Sequence, residues 1–272
     1  MPPTPATTAA YGPGCRTAGR RAPTCCCARS SLPGAYRRPD QLTASPMETY
    51  VLGDMHGAAR ALAQVLERSP FRPGLDRLIQ LGDVADGWPE TPRCVELLLA
   101  IPNSIWLTGN HDWWTAAWLA TKPAAADVSP SWLSQGGRAT YDAYRTGPPE
   151  HLDRHLQAFF GRQKPYHEDE RGNLYVHAGY DPAVPIAAQD SFDLFWTRDL
   201  WQQHQRAAAY HECFIGHTPT WPAHSAPAQR QNVWNLDQGA GYGGRLTMLN
   251  VRTKEYVQSD PVPELYPGIQ GR

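Results

Sequence analysis

Short apolar runs alternate with polar turns and helical patterns through the first half of the sequence. Residues 50–52, 78–81 and 105–107 form three such runs, and their length and composition are typical of buried strands. Between them, apolar residues recur at helical spacing over 58–68 and 92–100. The repeated order of strand, turn and helix predicts βαβ units and a mostly parallel sheet.

Each of these three apolar runs ends in a polar turn. The turns are Gly53-Asp54-Met55-His56-Gly57, Gly82-Asp83-Val84-Ala85-Asp86 and Gly109-Asn110-His111-Asp112. Open α/β sheets bind ligands at the carboxyl ends of their strands, so Asp54, Asp83 and Asn110 are expected to converge on one crevice. Taken singly, each could instead be a turn or helix N-cap residue.

The later part of the sequence predicts a helical section followed by strands. Residues 113–170 contain an aromatic helical pattern at 113–120 and an amphipathic one at 151–160. We expect this section to form a helical cap or insert over the crevice. Apolar runs then predict strands at residues 174–177, 212–216, 232–236 and 245–251.

Two later histidines stand at the ends of predicted strands. They are His177, in Val176-His177-Ala178-Gly179, and His217, in Gly216-His217-Thr218-Pro219. A site built from carboxylates, an amide and several imidazoles suits transition metals such as Mn, Fe, Zn or Ni, whereas a calcium or magnesium site would be richer in oxygen. The donor types therefore favour divalent transition-metal ions.

The five blocks, in this order between Thr49 and Val251, resemble the calcineurin-like metallophosphoesterase superfamily. Within it they resemble the phosphoprotein-phosphatase-like branch, which includes bacterial serine/threonine protein phosphatases and symmetrical diadenosine tetraphosphatases. The resemblance implies a single-domain, four-layer α/β/β/α sandwich of two mixed sheets with the metals at one edge. It also implies two divalent transition-metal ions, with manganese first among Mn, Fe, Zn and Ni. The implied reaction is hydrolysis of phosphate esters by a hydroxide that bridges the two ions, without a covalent phospho-enzyme.

The resemblance also assigns roles to individual residues. It implies six metal ligands: Asp54 and His56 for the first ion, Asp83 for both ions, and Asn110, His177 and His217 for the second. It implies that His111 is the general acid and that Asp86 holds its other ring nitrogen.

The sequence departs from the family pattern next to the middle turn. Gly87 stands where protein phosphatases of this family carry an arginine that grips the phosphate. Arg198, in Trp196-Thr197-Arg198-Asp199, is the candidate substitute for substrate binding. Alternatively, Arg198 forms a surface salt bridge with Asp199 or a neighbour.

Phosphomonoesters, including phosphoserine or phosphothreonine in proteins, are the leading substrate class. The alternative is a phosphoanhydride or phosphodiester, such as a dinucleoside tetraphosphate. A non-catalytic binding scaffold is a further reading, but such a scaffold has no need of His111 and Asp86 together. Cys94 and Cys213 are expected to be buried free thiols, so a redox or zinc protein is poorly supported.

Composition separates the amino-terminal head from the rest of the 272 residues. Residues 1–46 are rich in Pro, Ala and Arg and hold six arginines and one aspartate, a charge of +5. We expect this head to be disordered and Met47 to be the true start, although a transit peptide is an alternative. We expect residues 47–272 to form the metallophosphoesterase domain.

The remaining 19 basic and 25 acidic residues give the body a charge of −6, which argues against a nucleic-acid groove. No apolar run is long enough for a membrane helix. The expected partner is a phosphorylated protein or small molecule, and the expected location is the cytoplasm. Histidines without a motif are expected on the surface or in loops: His151, His155, His167, His204, His211 and His224.

Overall fold

Two five-stranded sheets form the centre of the protein in the computed structural model, which describes residues 46–121 and 128–272. The first sheet consists of β1 (Thr49–Leu52), β2 (Arg77–Gln80), β3 (Ser104–Trp106), β9 (Thr247–Asn250) and β10 (Tyr256–Gln258). The second consists of β4 (Tyr166–Glu168), β5 (Leu174–Val176), β6 (Cys213–Ile215), β7 (Ala228–Arg230) and β8 (Val233–Asn235). The spatial orders are β10-β9-β1-β2-β3 and β4-β5-β6-β8-β7.

Helices cover the sheets and carry the connections. They are α1 (Ala59–Arg68), α2 (Thr91–Leu99), α3 (Asn110–Ala120), α4 (Pro130–Trp132), α5 (Arg138–Thr146), α6 (Glu150–Ala158), α7 (Ser191–Trp196), α8 (Asp199–Gln202) and α9 (Val262–Leu265). A kinked segment, Leu133–Gly137, in which Gln135 and Gly136 have non-helical backbone angles, joins α4 to α5, and 3-10 turns lie at Phe160–Arg162 and Ile186–Ala188. Within the described residues, no helix is long and apolar enough to cross a membrane.

Strand residues alternate between two hydrophobic clusters, which reveals the layers. Val51 of β1 and Ile79 of β2 share one cluster with Tyr175 of β5 and Phe214 of β6, so this cluster lies between the sheets. Their neighbours along each strand, such as Leu78, face a different cluster that contains helix residues. Since side chains alternate along a strand, both faces of each sheet are covered.

The pairing within each sheet is mixed. Strands β1, β2 and β3 are parallel, whereas β9 runs antiparallel to β1. In the second sheet β5, β6 and β8 are parallel, and β4 and β7 pair antiparallel at the two edges. The predicted four-layer α/β/β/α sandwich of two mixed sheets is confirmed. The carboxyl ends of the parallel strands carry the polar turns.

The middle section packs onto the helices of the first sheet. Trp118, Trp132, Tyr144 and Phe159 belong to the same hydrophobic cluster as residues of α1 and α2. The residue range 122–127 and the head up to residue 45 lie outside the described residues, as do the predictions made for the head. The domain boundaries and the role of 113–170 as a cap stay predictions.

His155 is a correction to the sequence analysis. It is fully buried on α6 rather than exposed, because its Nδ1 meets the Tyr144 hydroxyl at 2.9 Å and its Nε2 meets Glu96 at 2.6 Å. Glu96, His151 and His155 lie close enough to hold an ion. However, Arg154 donates to both Glu96 oxygens, at 2.6 and 2.8 Å, so this network links α2 to α6 without needing a metal.

Cys94 and Cys213 are buried free thiols, as predicted. Three short strands, β4, β7 and β10, were not predicted. Each has only three residues and lies at the edge of its sheet, where one side of the strand meets solvent and the apolar pattern is weak.

Candidate active site

The turns that follow the central strands have an unusual backbone. Four of their residues have positive φ angles: His56 (48°), Asp83 (56°), Asp86 (72°) and His217 (62°). This left-handed region is uncommon for side chains other than glycine, although aspartate and histidine tolerate it better than most. Each such residue costs on the order of 1–3 kcal/mol, and strain of this kind clusters at functional sites.

Two glycines allow the carboxylates to approach the neighbouring turns. A Cβ atom at Gly109 would lie 2.1 Å from Oδ1 of Asp83, and one at Gly216 would lie 1.9 Å from Oδ1 of Asp54. These positions leave no room for any side chain. The glycines of the Gly-Asn-His-Asp and Gly-His turns are therefore needed for the close contact between strands.

Asp83 lies at the centre of the predicted ligand set. Its Oδ2 is 3.6 Å from Nε2 of His56 and 3.5 Å from Nε2 of His177. Nε2 of His177 is 3.2 Å from Oδ1 of Asn110. The backbone N–H of His217 donates to Oδ2 of Asp54 at 2.9 Å and thereby joins the turns after β6 and β1. The structure thus brings all six residues to one buried crevice.

Backbone carbonyls orient the three histidines of this set. Nδ1 of His56 contacts Ala85 O at 3.1 Å, and Nδ1 of His177 contacts Leu81 O at 2.9 Å. A carbonyl requires an N–H donor, so Nδ1 of each ring carries a proton and Nε2 faces the crevice. Nε2 of neutral His56 is bare, whereas His177 below its raised pKa carries a second proton on Nε2, which it would lose on binding a metal ion. His217 is turned the other way, since its Nε2 faces a backbone carbonyl at 3.2 Å and Nδ1 faces the crevice. Such partners fix the tautomer of metal-binding histidines.

Buried acidic groups in the crevice repel one another. Burial and the neighbouring carboxylates of Asp237 and Asp83 raise the pKa of Asp54 well above its ordinary value. Burial and Asp83 raise the pKa of Asp112 to about 7. Although burial opposes it, the Asp83 carboxylate raises the pKa of His177 to about 9. The crevice is therefore short of positive charge.

The other two histidines of the set stay neutral. Burial, followed by the charge of Arg272, lowers the pKa of His56 well below its ordinary value. Burial lowers the pKa of His217 to about 2. Neutral imidazole is the form that binds a metal ion.

His111 and Asp86 form a buried pair beside this set. Nδ1 of His111 lies 2.8 Å from Oδ2 of Asp86, and its Nε2 is buried without a partner among the described residues. Asp86 is itself held by Trp132, whose Nε1–H donates to Oδ2 at 2.6 Å, and by Thr115 at 3.4 Å. Thr140 accepts from the Asp86 backbone N–H at 2.9 Å. These contacts fix the orientation of the His111 ring.

Asp112 has a structural role that sequence reasoning missed. Its Oδ1 accepts from the backbone N–H groups of Val84 and Ala85 at 2.9 and 3.1 Å, and Gln163 donates to its Oδ2 at 2.9 Å. Asp112 thus holds the middle turn in place. Asp112 belongs to the block Gly109-Asn110-His111-Asp112, so the sequence motif could have indicated a role for it. Nothing in the sequence around Gln163 or Trp132 indicates that these residues contact the site.

Arg198 lies on the His217 side of the crevice. Its Nη1 donates to His217 O at 2.8 Å and to Thr218 Oγ1 at 3.1 Å. Across the described ranges no salt bridge joins it to Asp199, so the alternative that Arg198 serves as a surface ion-pair partner of that residue is not supported. Its role toward a substrate stays a prediction.

The donor set fits divalent transition-metal ions. Two groups of side chains have ligand atoms that all lie within 4.8 Å of one another, namely His56, Asp83 and His111, and Asp83, His177 and His217. Asp83 belongs to both groups. Oδ1 of Asp54 is buried without a hydrogen-bond partner in the part of the chain described, as expected of an atom that needs a cation. Mixed oxygen and imidazole donors are typical of Mn, Fe or Zn sites.

Comparison with known proteins agrees with this geometry. The family model for calcineurin-like phosphoesterases matches residues 47–240. Serine/threonine-protein phosphatase 1 of Salmonella typhimurium is 28% identical over 215 residues, which cover 75% of this chain and 91% of that protein. A symmetrical bis(5'-nucleosyl)-tetraphosphatase of Pseudomonas putida is 26% identical and covers 79% of this chain and 93% of that protein.

Solved structures agree on the fold. A protein serine/threonine phosphatase from Saccharomyces cerevisiae superposes with a TM-score of 0.55 at 13% identity, with 84% of each chain covered. The sandwich, the crevice and the matched family model lead to one conclusion. The chain belongs to the calcineurin-like phosphoesterase family, in its phosphoprotein-phosphatase-like branch, and is a metal-dependent phosphoesterase.

Proposed function

We propose that the protein hydrolyses phosphomonoesters, including phosphoserine or phosphothreonine in proteins. The observation that carries this proposal is the His111–Asp86 pair at 2.8 Å, with the other ring nitrogen of His111 buried and without a partner among the described residues. A proton on that nitrogen can be transferred only to an acceptor that enters the crevice. This is the arrangement of a general acid that protonates a leaving oxygen.

We assign the six ligands to two divalent ions as follows: Asp54 and His56 to the first, Asp83 to both, and Asn110, His177 and His217 to the second. Bound ions would lower the pKa of a water and neutralise charge on the phosphoryl oxygens. Manganese is the proposed metal, with Fe, Zn or Ni as alternatives.

The chain's own residues supply the remaining steps. Asp86, held by the Trp132 N–H at 2.6 Å, keeps the His111 ring aligned while its Nε2 proton passes to the leaving alkoxide. Arg198 is held against His217 O at 2.8 Å and contacts the phosphoryl group from that side. The buried walls of the crevice exclude bulk water and so strengthen each of these interactions.

An aromatic row beside His111 favours a second candidate, the hydrolysis of a phosphoanhydride such as a dinucleoside tetraphosphate. Trp114 packs edge-on against His111, with ring centroids 5.2 Å apart, and against Trp196 at 5.0 Å. Phe192 stacks on Trp196 at 5.6 Å and is 60% exposed. Such a row offers planar surfaces for a nucleobase.

The test compares substrates and variants on metal-stripped protein to which Mn²⁺ or, in parallel, Fe²⁺, Zn²⁺ or Ni²⁺ is added back. p-Nitrophenyl phosphate, bis-p-nitrophenyl phosphate, a phosphoserine peptide and diadenosine tetraphosphate serve as substrates. We expect His111→Asn to lower kcat by roughly 10²–10⁴-fold, as for the loss of a general acid, with metal content unchanged. His211→Asn, at an exposed position, is the control.

Faster turnover of the phosphopeptide than of the dinucleotide supports the leading proposal, and the reverse order supports the second candidate. An unchanged kcat in His111→Asn would remove His111 as the acid. If no ester or anhydride is hydrolysed with any of the four metals, the proposed reaction is wrong.

A further inference from the structure

Arg272 brings a second guanidinium group to the crevice, on the side of His56. Its Nη1 lies 3.4 Å from Nε2 of His56, the ring nitrogen that His56 turns toward the ligand set. The backbone N–H of Arg272 donates to Gly241 O at 2.8 Å, and its guanidinium carbon lies 5.3 Å from the centre of the Tyr242 ring. Both contacts hold the residue at the crevice.

The aliphatic stem of Arg272 lies in a space left by two glycines. A Cβ atom at Gly87 would lie 3.2 Å from Cγ of Arg272, and one at Gly136 would lie only 2.8 Å from it. Gly87 N–H donates to Gly136 O at 3.0 Å, so the two turns form one surface. A side chain at either position would displace the Arg272 stem. Gly87 and Arg272 are therefore structurally coupled although they are distant in the sequence.

The charges of the crevice explain what this guanidinium can bind. Among the described residues, no carboxylate forms a salt bridge with Arg272; its polar neighbour is a neutral histidine. Arg198 occupies the opposite side, against His217 O. The two guanidinium groups thus flank the ligand set. Guanidinium groups bind phosphate oxygens through two parallel hydrogen bonds, which a lysine cannot reproduce.

We propose that Arg272 is a phosphoryl-binding residue and that it supplies, from the late part of the chain, the positive charge that Gly87 lacks. The ligand class is a phosphate monoanion or dianion, either as part of the ester or as released inorganic phosphate. This inference rests on the proposed function, because it places the phosphoryl group in the same crevice. It adds a residue that neither the sequence motifs nor the family match includes.

The position of Arg272 also suggests how it would respond to a metal ion. A cation on His56 takes the same Nε2 lone pair that now faces Nη1 of Arg272. The guanidinium must then turn away, while its backbone bond to Gly241 keeps it near. A phosphoryl oxygen beside the ion is the partner we infer for it.

The experiment measures the binding of inorganic phosphate to the Mn²⁺-loaded protein by calorimetry, which requires no turnover. It compares wild type with Arg272→Gln, which keeps the Cγ atom between the two glycines, and Arg272→Lys, which keeps the charge. Arg252→Gln is the control, because Arg252 forms an ion pair with Glu48 before β1, at the other end of the strand from Asp54. Metal content and circular dichroism are recorded for each protein.

We expect Arg272→Gln to weaken phosphate binding by roughly 10–100-fold, the usual effect of losing a charge-assisted pair. KM for p-nitrophenyl phosphate should rise by a similar factor with a smaller change in kcat, and metal content should stay unchanged. The phosphate affinity and KM of Arg272→Lys should lie between those of wild type and Arg272→Gln. Arg252→Gln should have the phosphate affinity and KM of wild type. Arg198→Ala provides a comparison for the opposite side and should also raise KM with metal intact.

Unchanged phosphate affinity in Arg272→Gln would overturn the proposal. Tighter Mn²⁺ binding with unchanged phosphate affinity would likewise overturn it and make Arg272 a competitor of the ion. If wild type hydrolyses no ester but binds phosphate in an Arg272-dependent manner, the proposed reaction fails and the phosphate site stands. If wild type binds no phosphate, the inference about Arg272 fails.

Discussion

Strands β1 and β2 have an acidic residue near each of their ends, and the two ends treat these residues in opposite ways. At the amino end, Glu48 precedes β1 and Asp76 precedes β2. Each is paired with an arginine: Nε of Arg252 donates to Glu48 at 3.0 Å, and Nε of Arg72 donates to Asp76 at 3.0 Å. These hydrogen bonds lower the pKa of both carboxyl groups.

At the carboxyl end, Asp54 and Asp83 have no arginine partner among the described residues. Burial and like charges raise the pKa of Asp54 well above its ordinary value. Although burial opposes them, the histidines, His177 first, hold the pKa of Asp83 well below its ordinary value. The amino end therefore stabilises the fold, whereas Asp54 at the carboxyl end carries an electrostatic cost that a bound cation would relieve. Of the two acidic residues that flank β1, Glu48 stabilises the fold through its arginine, and Asp54 is a proposed metal ligand.

Substitutions of the carboxylates at the carboxyl end should separate metal binding from fold stability most strongly. Asp83→Asn should abolish the binding of both ions and reduce hydrolysis to background, because Asp83 belongs to both groups of potential ligands. Asp54→Asn should leave the unfolding temperature of the metal-free protein at the wild-type value or higher, since the raised pKa of Asp54 means that the folded state disfavours this carboxylate. Metal analysis, activity and calorimetry measure these effects.

The outcomes of these two substitutions can contradict the comparison in two ways. A clear fall in the melting temperature of metal-free Asp54→Asn would mean that Asp54 stabilises the fold. Retention of one ion per chain in Asp83→Asn would mean that Asp83 does not serve both sites. His217→Gln, which removes a member of only one group, is the matched variant and should retain one ion.

Asp76→Asn should have the opposite effect. Asp76 is fully buried and accepts hydrogen bonds from Arg72 and from the Glu48 backbone N–H at 3.0 Å. We expect the free energy of unfolding at pH 7 to fall by about 2–3 kcal/mol, with kcat/KM and metal content unchanged. Urea unfolding measures the change.

The pH dependence of this loss has a definite sign. The folded-state pKa of Asp76 is lowered, so its stabilisation is present above the unfolded pKa of about 4 and is lost as the pH falls through the folded value. The difference between wild type and Asp76→Asn should therefore be full at pH 7 and smaller at pH 3. A difference that grows on acidification would contradict the pairing of Asp76 with Arg72.

The sequence predicted those parts of the crevice that have a local pattern. Asp54 and Asp83 each follow a buried strand within a few residues, and His177 and His217 do the same in the second half. Asn110 follows β3, a half-buried strand at the edge of its sheet. Since strand ends converge at one edge of a sheet, local pattern and strand order were enough to bring these residues together.

The remaining contacts of the crevice come from tertiary packing that no local pattern encodes. Trp132 lies just before the kinked segment between α4 and α5 and donates to Asp86 at 2.6 Å, a contact 46 positions apart that has no sequence signature. Arg272 lies 185 positions from Gly87 and meets it only in the folded chain. His155 has no motif around it and was expected at the surface of an amphipathic helix, yet it is buried against Tyr144 and Glu96.

Glu48→Gln should have the smallest effect and shows that burial, as well as pairing, decides the stabilisation at the amino end. The side chains of Glu48 and Arg252 are 16% and 55% exposed, whereas those of Asp76 and Arg72 are 1% and 34% exposed. Exposed ion pairs contribute at most about 1 kcal/mol, so we expect Glu48→Gln to lower the free energy of unfolding by less than this.

The loss of unfolding free energy in Glu48→Gln should be smaller still in 1 M salt, since the Debye length there is only about 3 Å. A double-mutant cycle with Arg252→Gln isolates the pair. A coupling as large as the loss in Asp76→Asn would mean that solvent does not screen this pair, and that both acidic residues at this end stabilise the strands equally.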